Sequence, residues 1–203
     1  MKMKIKVLIP FLFVASLQFA FAQKSSFKTL FNGKNLNAWS VPDGNQWWSV
    51  EDGKLVAKSD PDKTGSILWT KKDYNDFVIV ADFKFGDGTV DSGFFLREER
   101  EQIQIGESGS LKRDMTCSPY IVGKGYPVEA LGVADVLKPD GWNTIKVKAE
   151  GNKYTAWLNG KEVMNYKSDS ELSSGPIGIQ LHPNRDMSIF YKNIKVQELS
   201  VEN

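Results

Sequence analysis

Histidine occurs once in the 203-residue chain, at position 182, closing the stretch GPIGIQLH. An imidazole has an ordinary pKa of about 6.5, so it can take or give a proton near neutrality. A histidine beside other polar groups is therefore a candidate general acid or base. In GPIGIQLH (175–182), Ile177, Ile179 and Leu181 alternate with Gly178, Gln180 and His182. A period of two puts the second set on one face of a strand. The same count in EQIQIG (101–106) puts Gln102 and Gln104 opposite Ile103 and Ile105, and in SGFFLRE it puts Phe95 and Arg97 opposite Phe94 and Leu96. Amides and a guanidinium are directional partners for hydroxyls and carbonyls. Gly93, Gly106 and Gly178 would let a ligand approach the backbone. Together these residues describe a polar cleft of a kind that holds a sugar. A plainer reading stands beside it. A histidine near a strand end is commonly a solvated or structural residue, Gln102 and Gln104 suit an exposed sheet, and Arg97 begins the charge run REERE. Trp47, Trp48, Trp142 and Trp157 suit packing better than sugar platforms.

The elements that must carry these groups read as β throughout. NTIKVKAE alternates Ile145, Val147 and Ala149 with Thr144, Lys146 and Lys148, the mark of a half-buried strand. Asn159-Gly160 lies between two strand-like runs, and Asp52-Gly53 repeats the device; both dipeptides accept the positive φ angles of a type I′ turn. DFVIVADFKF, SGFFLRE, EQIQIG, GPIGIQLH and MSIFYKNIKVQEL complete the set. No segment carries a helical stripe over three turns. Many short strands with regular turns predict a β-sandwich or jelly roll. The segment from Glu107 to Gly141 lacks this alternation and is rich in Gly and Pro. A connection of that length is usually functional or disordered. Cys117, Tyr120, Ile121, Tyr126 and Leu131 give it material to pack with, which predicts an ordered loop over one face. An insertion that covers a sheet edge is the alternative.

Residues 1–22 read as an export signal: Lys2, Lys4 and Lys6, an apolar run, then Ala20-Phe21-Ala22 as a cleavage site. The expected mature chain, residues 23–203, is one domain, exported to the periplasm or the cell exterior and not membrane-spanning. Removing three of the 26 Lys and Arg leaves 23 against 25 Asp and Glu, a net charge of about −2. That balance gives no footprint for nucleic acid. With one cysteine, Cys117, no intrachain disulfide forms, and Cys and His are too few for a closed zinc site. No cofactor is expected; no calcium loop stands out, and the oligomeric state is not fixed. GxGxxG, P-loop, HExxH, CxxC and GxSxG motifs are absent, and no glycosidase carboxylate pair can be picked out.

Taken in order, LFNGKNLNAW (30–39), WWSVEDGKLVA (47–57), DSGFFLR (91–97), GWNTIKV (141–147), WLNGKEV (157–163), GPIGIQLH (175–182) and FYKNIKV (190–196) resemble the 3-keto-disaccharide hydrolase domain family over nearly the whole mature chain. The resemblance implies a concanavalin-like β-sandwich jelly roll and a carbohydrate substrate, a glycoside oxidised at C3. A C3 ketone acidifies the C2 proton, and the glycosidic oxygen on C1, β to that ketone, can leave by elimination. Addition of water then gives net hydrolysis. Such chemistry needs a base near C2, a donor for the enolate oxygen and an acid near the leaving oxygen. The resemblance implies His182 as acid or base and Arg97 as the group that stabilises enolate charge or binds a hydroxyl. It implies Gln104 as a substrate contact. Gln102, Gln180, Lys112, Arg113, Asp114 and Tyr120 are further candidate contacts. Two positions depart from the family's usual pattern: Gln102 stands where glutamate is usual, and Pro183 where glycine is frequent. An amide cannot act as a general base, so either Glu101 or Glu107 substitutes for that glutamate, or the protein is a non-catalytic carbohydrate-binding module on the same fold.

Overall fold

A computed structural model describes residues 26–199 of the chain; the export signal expected at 1–22 lies outside them. Its elements are fourteen strands: β1 (Lys28–Thr29), β2 (Trp39–Ser40), β3 (Trp48–Glu51), β4 (Lys54–Lys58), β5 (Ser66–Tyr74), β6 (Phe77–Gly88), β7 (Asp91–Leu96), β8 (Glu101–Gly106), β9 (Pro119–Ile121), β10 (Asn143–Glu150), β11 (Lys153–Leu158), β12 (Lys161–Lys167), β13 (Gly175–Leu181) and β14 (Met187–Glu198). No described helix is long and apolar enough to cross a membrane.

The strands form two antiparallel sheets. One runs β12-β11-β10-β6-β14-β4-β3 with β1 added to β14, and the other runs β2-β5-β13-β7-β8-β9. Alternation sets which residues meet between them. Ile79, Ala81 and Phe83 of β6, Ile145, Val147 and Ala149 of β10, and Ile189 and Tyr191 of β14 pack in one cluster with Leu68, Phe94, Leu96, Ile103, Ile105, Ile177 and Ile179 of the second sheet. Full burial of a Val, Leu, Ile or Phe side chain is worth about 1.5–3 kcal/mol, so this inter-sheet layer carries the stability that disulfides do not supply. Phe94 and Tyr191 meet across it with ring centroids 6.1 Å apart, and the Ser92 and Tyr191 hydroxyls are 2.8 Å apart.

Both expected hairpins form. Asn159 and Gly160, at φ 50° and 88°, join β11 to β12, and Asp52 and Gly53, at 47° and 76°, join β3 to β4. Asn159 also ties its turn to the body, donating to the Val136 carbonyl at 2.7 Å and accepting from the Thr144 amide at 2.8 Å. The segment after Glu107 is ordered and does two things. Its strand β9 extends the sheet edge beside β8, and its remainder folds over the outer face of that sheet. Cys117 and Ile121 are buried, whereas Leu131 is 76% exposed.

Candidate functional site

Ser92, Phe94 and Leu96 point into the core, so Asp91, Gly93 and Phe95 point to the opposite face. Pairing carries that face across the sheet. Gln180 is opposite Gly93, which is opposite Gln104; Gly178 is opposite Phe95, which is opposite Gln102, which is opposite Tyr120. Asp91 is opposite Gly106, and its carbonyl accepts the backbone N–H of His182 at 3.3 Å. The polar residues of three strands thus stand in adjacent rows. They face away from the core, yet Asp91, Gln102 and Gln104 are all at most 3% exposed, because the loop after β8 covers them. Beneath that cover lies a cavity of about 460 Å³, within the range of small-molecule sites.

His182, Gln102, Gln104, Gln180, Lys112 and Tyr120 all line this cavity. His182 Nδ1 is 2.6 Å from the Pro183 carbonyl oxygen. A carbonyl only accepts, so Nδ1 carries the proton in that bond, and Nε2 of the neutral ring is left with its lone pair. Gln102 donates to Gln180 Oε1 at 2.7 Å, and Gln104 donates to Asp91 Oδ1 at 2.8 Å. These bonds fix the amides as a rigid polar floor. Gly93 and Gly178 serve this packing and do not admit a ligand, contrary to the expectation from sequence. A methyl on Gly93 would lie 2.4 Å from the Gln102 amide nitrogen that crosses it, and one on Gly178 would lie 2.6 Å from the Trp69 ring. One on Gly106 would lie 2.2 Å from the Val90 carbonyl oxygen, so this glycine too makes room for backbone.

Three expected site residues lie elsewhere. Arg97 is the main correction. It leaves β7 with φ 72°, which breaks the alternation that would have aimed it beside Phe95. Its fully buried guanidinium donates to the carbonyls of Asn75 (2.6 and 2.9 Å), Gly151 (2.7 Å) and Leu172 (3.3 Å) and to Asp76 Oδ1 (3.2 Å). None of these partners lines the cavity, and no donor of Arg97 remains for an enolate or a hydroxyl. Arg113 forms a two-point ion pair with Glu129 at the surface of the loop. Asp114 accepts from Thr116 Oγ1 at 2.7 Å and lines a different depression, beside Leu137 and Pro139. Burial holds the Asp114 carboxyl above its ordinary range, opposed by the Thr116 bonds and aided by the charge of Glu107. Of the two carboxylates considered as substitutes for a glutamate at 102, Glu101 accepts from Tyr154 and Ser168 on the other side of β8 and does not reach the cavity.

The cavity also holds Asp91 and Arg185, which the sequence reading passed over, and Tyr126, which it expected only to pack the loop. Asp91 Oδ2 is 3.5 Å from Arg185 Nε and 4.0 Å from His182 Nε2. Tyr126 packs edge-on against Tyr120, centroids 5.3 Å apart, and its phenol is pushed up to about 12 by burial, with the charge of Asp91 adding to the shift against a lowering bond from Ser108. It is therefore a donor and not a base. Among the described residues no three His, Cys, Asp or Glu side chains converge as metal ligands do. The arrangement offers one imidazole with a free lone pair, a carboxylate, two cations (Lys112 and Arg185), three amides and two phenols around a space of small-molecule size.

Solved structures with the same architecture include two described as a "putative glycosyl hydrolase" from Parabacteroides distasonis. One is 22% identical (TM-score 0.65; 86% of this chain and 94% of that one), the other 25% identical (TM-score 0.64; 86% and 100%). A Bacillus subtilis protein of unknown function with a galectin-like fold is 16% identical (TM-score 0.53; 75% and 86%). The fold is thus the concanavalin-like jelly roll. No match was found among curated proteins. The model of one family, described as the 3-keto-alpha-glucoside-1,2-lyase-like domain, matches residues 26–197, and with its motifs running through both sheets and both sides of the cavity, the chain belongs to that family.

Proposed function

We propose that the protein cleaves the glycosidic bond of 3-keto-glycosides in the cavity between the β13–β7–β8 floor and the loop that follows β8, with His182 as its acid–base group. In this reading a sugar lies on the Gln102, Gln104 and Gln180 floor. His182 Nε2 takes the proton from C2, and the C2–H electrons form an enolate with the C3 carbonyl. The electron pair then re-forms the ketone and a C1–C2 double bond as the C1–O bond breaks. The leaving oxygen takes back a proton from the imidazolium, and water added at C1 of the enone completes net hydrolysis. Arg97 has no part, because its donors are all engaged. The positive side of the cavity, Lys112 and Arg185, lowers the energy of the enolate, the role for which Arg97 was expected. The export signal expected from the sequence at 1–22 supports the further proposal that this happens in the periplasm or outside the cell.

The observation that carries the reading is the pinned imidazole: Nδ1–H is held by the Pro183 carbonyl, and the basic nitrogen faces the polar cavity in a member of this family. Release of nitrophenol from a 4-nitrophenyl 3-keto-glucoside tests it. The expected result is turnover by the native protein and a loss of about 10²–10⁴-fold in kcat for His182→Ala. Binding without release would identify a carbohydrate-binding module, and release untouched by His182→Ala would remove the histidine from the mechanism.

A further inference from the structure

Two buried polar atoms in the cavity lack a hydrogen-bond partner within the described protein: Asp91 Oδ2 and Arg185 Nη2. An acceptor and a donor left over side by side is unusual, because each unpaired buried group costs about 1–3 kcal/mol. They do not satisfy one another. Arg185 comes nearest through Nε, at 3.5 Å from Oδ2, which is an ion pair but too long for a good hydrogen bond. The side chains are nevertheless 3% and 16% exposed, held by construction rather than by chance. Asp91 is anchored through its other oxygen by Gln104.

Gly109 lies against the two atoms. Its φ is not positive, so the backbone would accept any residue; what is missing is space. A methyl there would lie 3.1 Å from Asp91 Oδ2, 3.2 Å from Arg185 Nη2 and 4.0 Å from His182 Cε1. The two unpaired atoms and the imidazole therefore converge on one spot of the cavity wall.

The chemistry of that spot is selective. Oδ2 accepts and Nη2 donates, so the group that satisfies both must donate and accept through one atom, as a hydroxyl does. A carbonyl only accepts, and would leave the carboxylate unpaired. A phosphate or carboxylate would face Asp91. We infer that Asp91 and Arg185 form a hydroxyl-specific subsite that binds the C2 hydroxyl of the substrate, the hydroxyl on the carbon from which His182 takes the proton. This assignment rests on the reading of the cavity as a 3-keto-glycoside site. The 4.0 Å between His182 Nε2 and Asp91 Oδ2 spans an O–H···O bond on one side and a C–H facing the base on the other. The pair thus orients the C2–H bond at the imidazole, and 2-deoxy substrates forfeit that orientation.

The test compares kcat/KM for a 4-nitrophenyl 3-keto-glucoside and its 2-deoxy counterpart. The native protein should prefer the hydroxylated substrate by about 10- to 100-fold, the scale of one buried hydrogen-bonded hydroxyl. In Asp91→Asn, which can keep the bond from Gln104, the preference should fall to within a few fold. Gly109→Ala should do the same while still unfolding cooperatively within a few degrees of the native protein, which separates loss of the subsite from loss of fold. Equal use of both substrates by the native protein, or a preference that persists in both variants, would overturn the subsite and leave solvent as its occupant. Calorimetric binding of the methyl 3-keto-glucoside and its 2-deoxy form serves as the second readout. Tighter binding that depends on the 2-hydroxyl and on Asp91, without cleavage, would sustain the subsite while sinking the reaction. Equal binding of the two forms, or none, would overturn it.

Discussion

Arg97 is buried and Arg185 largely so, both are within reach of an aspartate, and they are opposite in character. Arg97 donates to three backbone carbonyls and to Asp76, knotting the 75–76 turn, the 151 turn and the 172 strand approach to the end of β7. Arg185 touches Asp91 loosely and keeps a buried N–H to spare. Burial and charge therefore do not distinguish a structural arginine from a functional one. Unused hydrogen-bonding capacity does. A side chain whose donors are all consumed by the protein has none left for a ligand, and one left incomplete in a cavity has a place for it.

The largest expected effect comes from breaking the saturated member. Arg97→Met leaves the Asn75, Gly151 and Leu172 carbonyls without their donor and Asp76 without its cation. It should cost about 3–5 kcal/mol in urea unfolding, while the folded fraction keeps its specific activity. The same change at Arg185 should invert that outcome. Arg185→Met leaves Asp91 with its bond from Gln104 and the solvent of the cavity, so it should cost only about 1–3 kcal/mol while most turnover disappears. If Arg97→Met removed activity without stability, the contrast would fail.

Tyr126 sharpens the comparison on the functional side. Its phenol is raised to about 12, so it stays protonated across the accessible range. Tyr126→Phe should lower kcat/KM a few fold, and the alkaline limb of the pH–rate profile should stay where it was. A shift of that limb would make the phenol a titrating catalytic group. The smallest effect belongs to Asp114, a structural carboxyl outside the cavity. Its folded-state pKa is raised, so between its unfolded value and that raised value the native chain holds the extra proton, and stability falls as pH rises through this window. The penalty is fully present at neutral pH. Asp114→Asn should therefore raise the melting temperature slightly at pH 7, and the gain should vanish below about pH 4, where the aspartate is protonated in both states.

How much of this could be read beforehand follows from how local each determinant is. The hairpins at Asp52-Gly53 and Asn159-Gly160 depend on two residues' φ angles, and alternation in β7, β8 and β13 depends on period two, so strands, turns and the shared polar face of Gln102, Gln104, Gln180 and His182 were all legible. Asp91 was legible by the same count, two steps back from Gly93, but its place at the very start of β7 gave no sign that it would be buried. Arg97 misled because a left-handed residue at a strand exit turns its side chain off the face that alternation assigns, and no glycine or asparagine stands at that exit, Leu96-Arg97-Glu98, to mark the turn. The glycines misled for a related reason: a missing Cβ shows that something comes close, without saying whether it is a ligand, the Gln102 amide or the Trp69 ring. Arg113 and Asp114 sit in a loop with no period, where only the folded path decides which side chains turn inward.

The strand that carries Gln180 and ends beside His182 lies between β5 and β7, yet it is made after both, from the last thirty residues of the chain. Until those residues leave the ribosome, two early strands wait with no common neighbour and the imidazole does not exist. A polypeptide interrupted before that point lacks both the strand that joins β5 to β7 and its imidazole. Any screen for shortened forms of this protein should leave the residues from Gly175 to Glu198 in place.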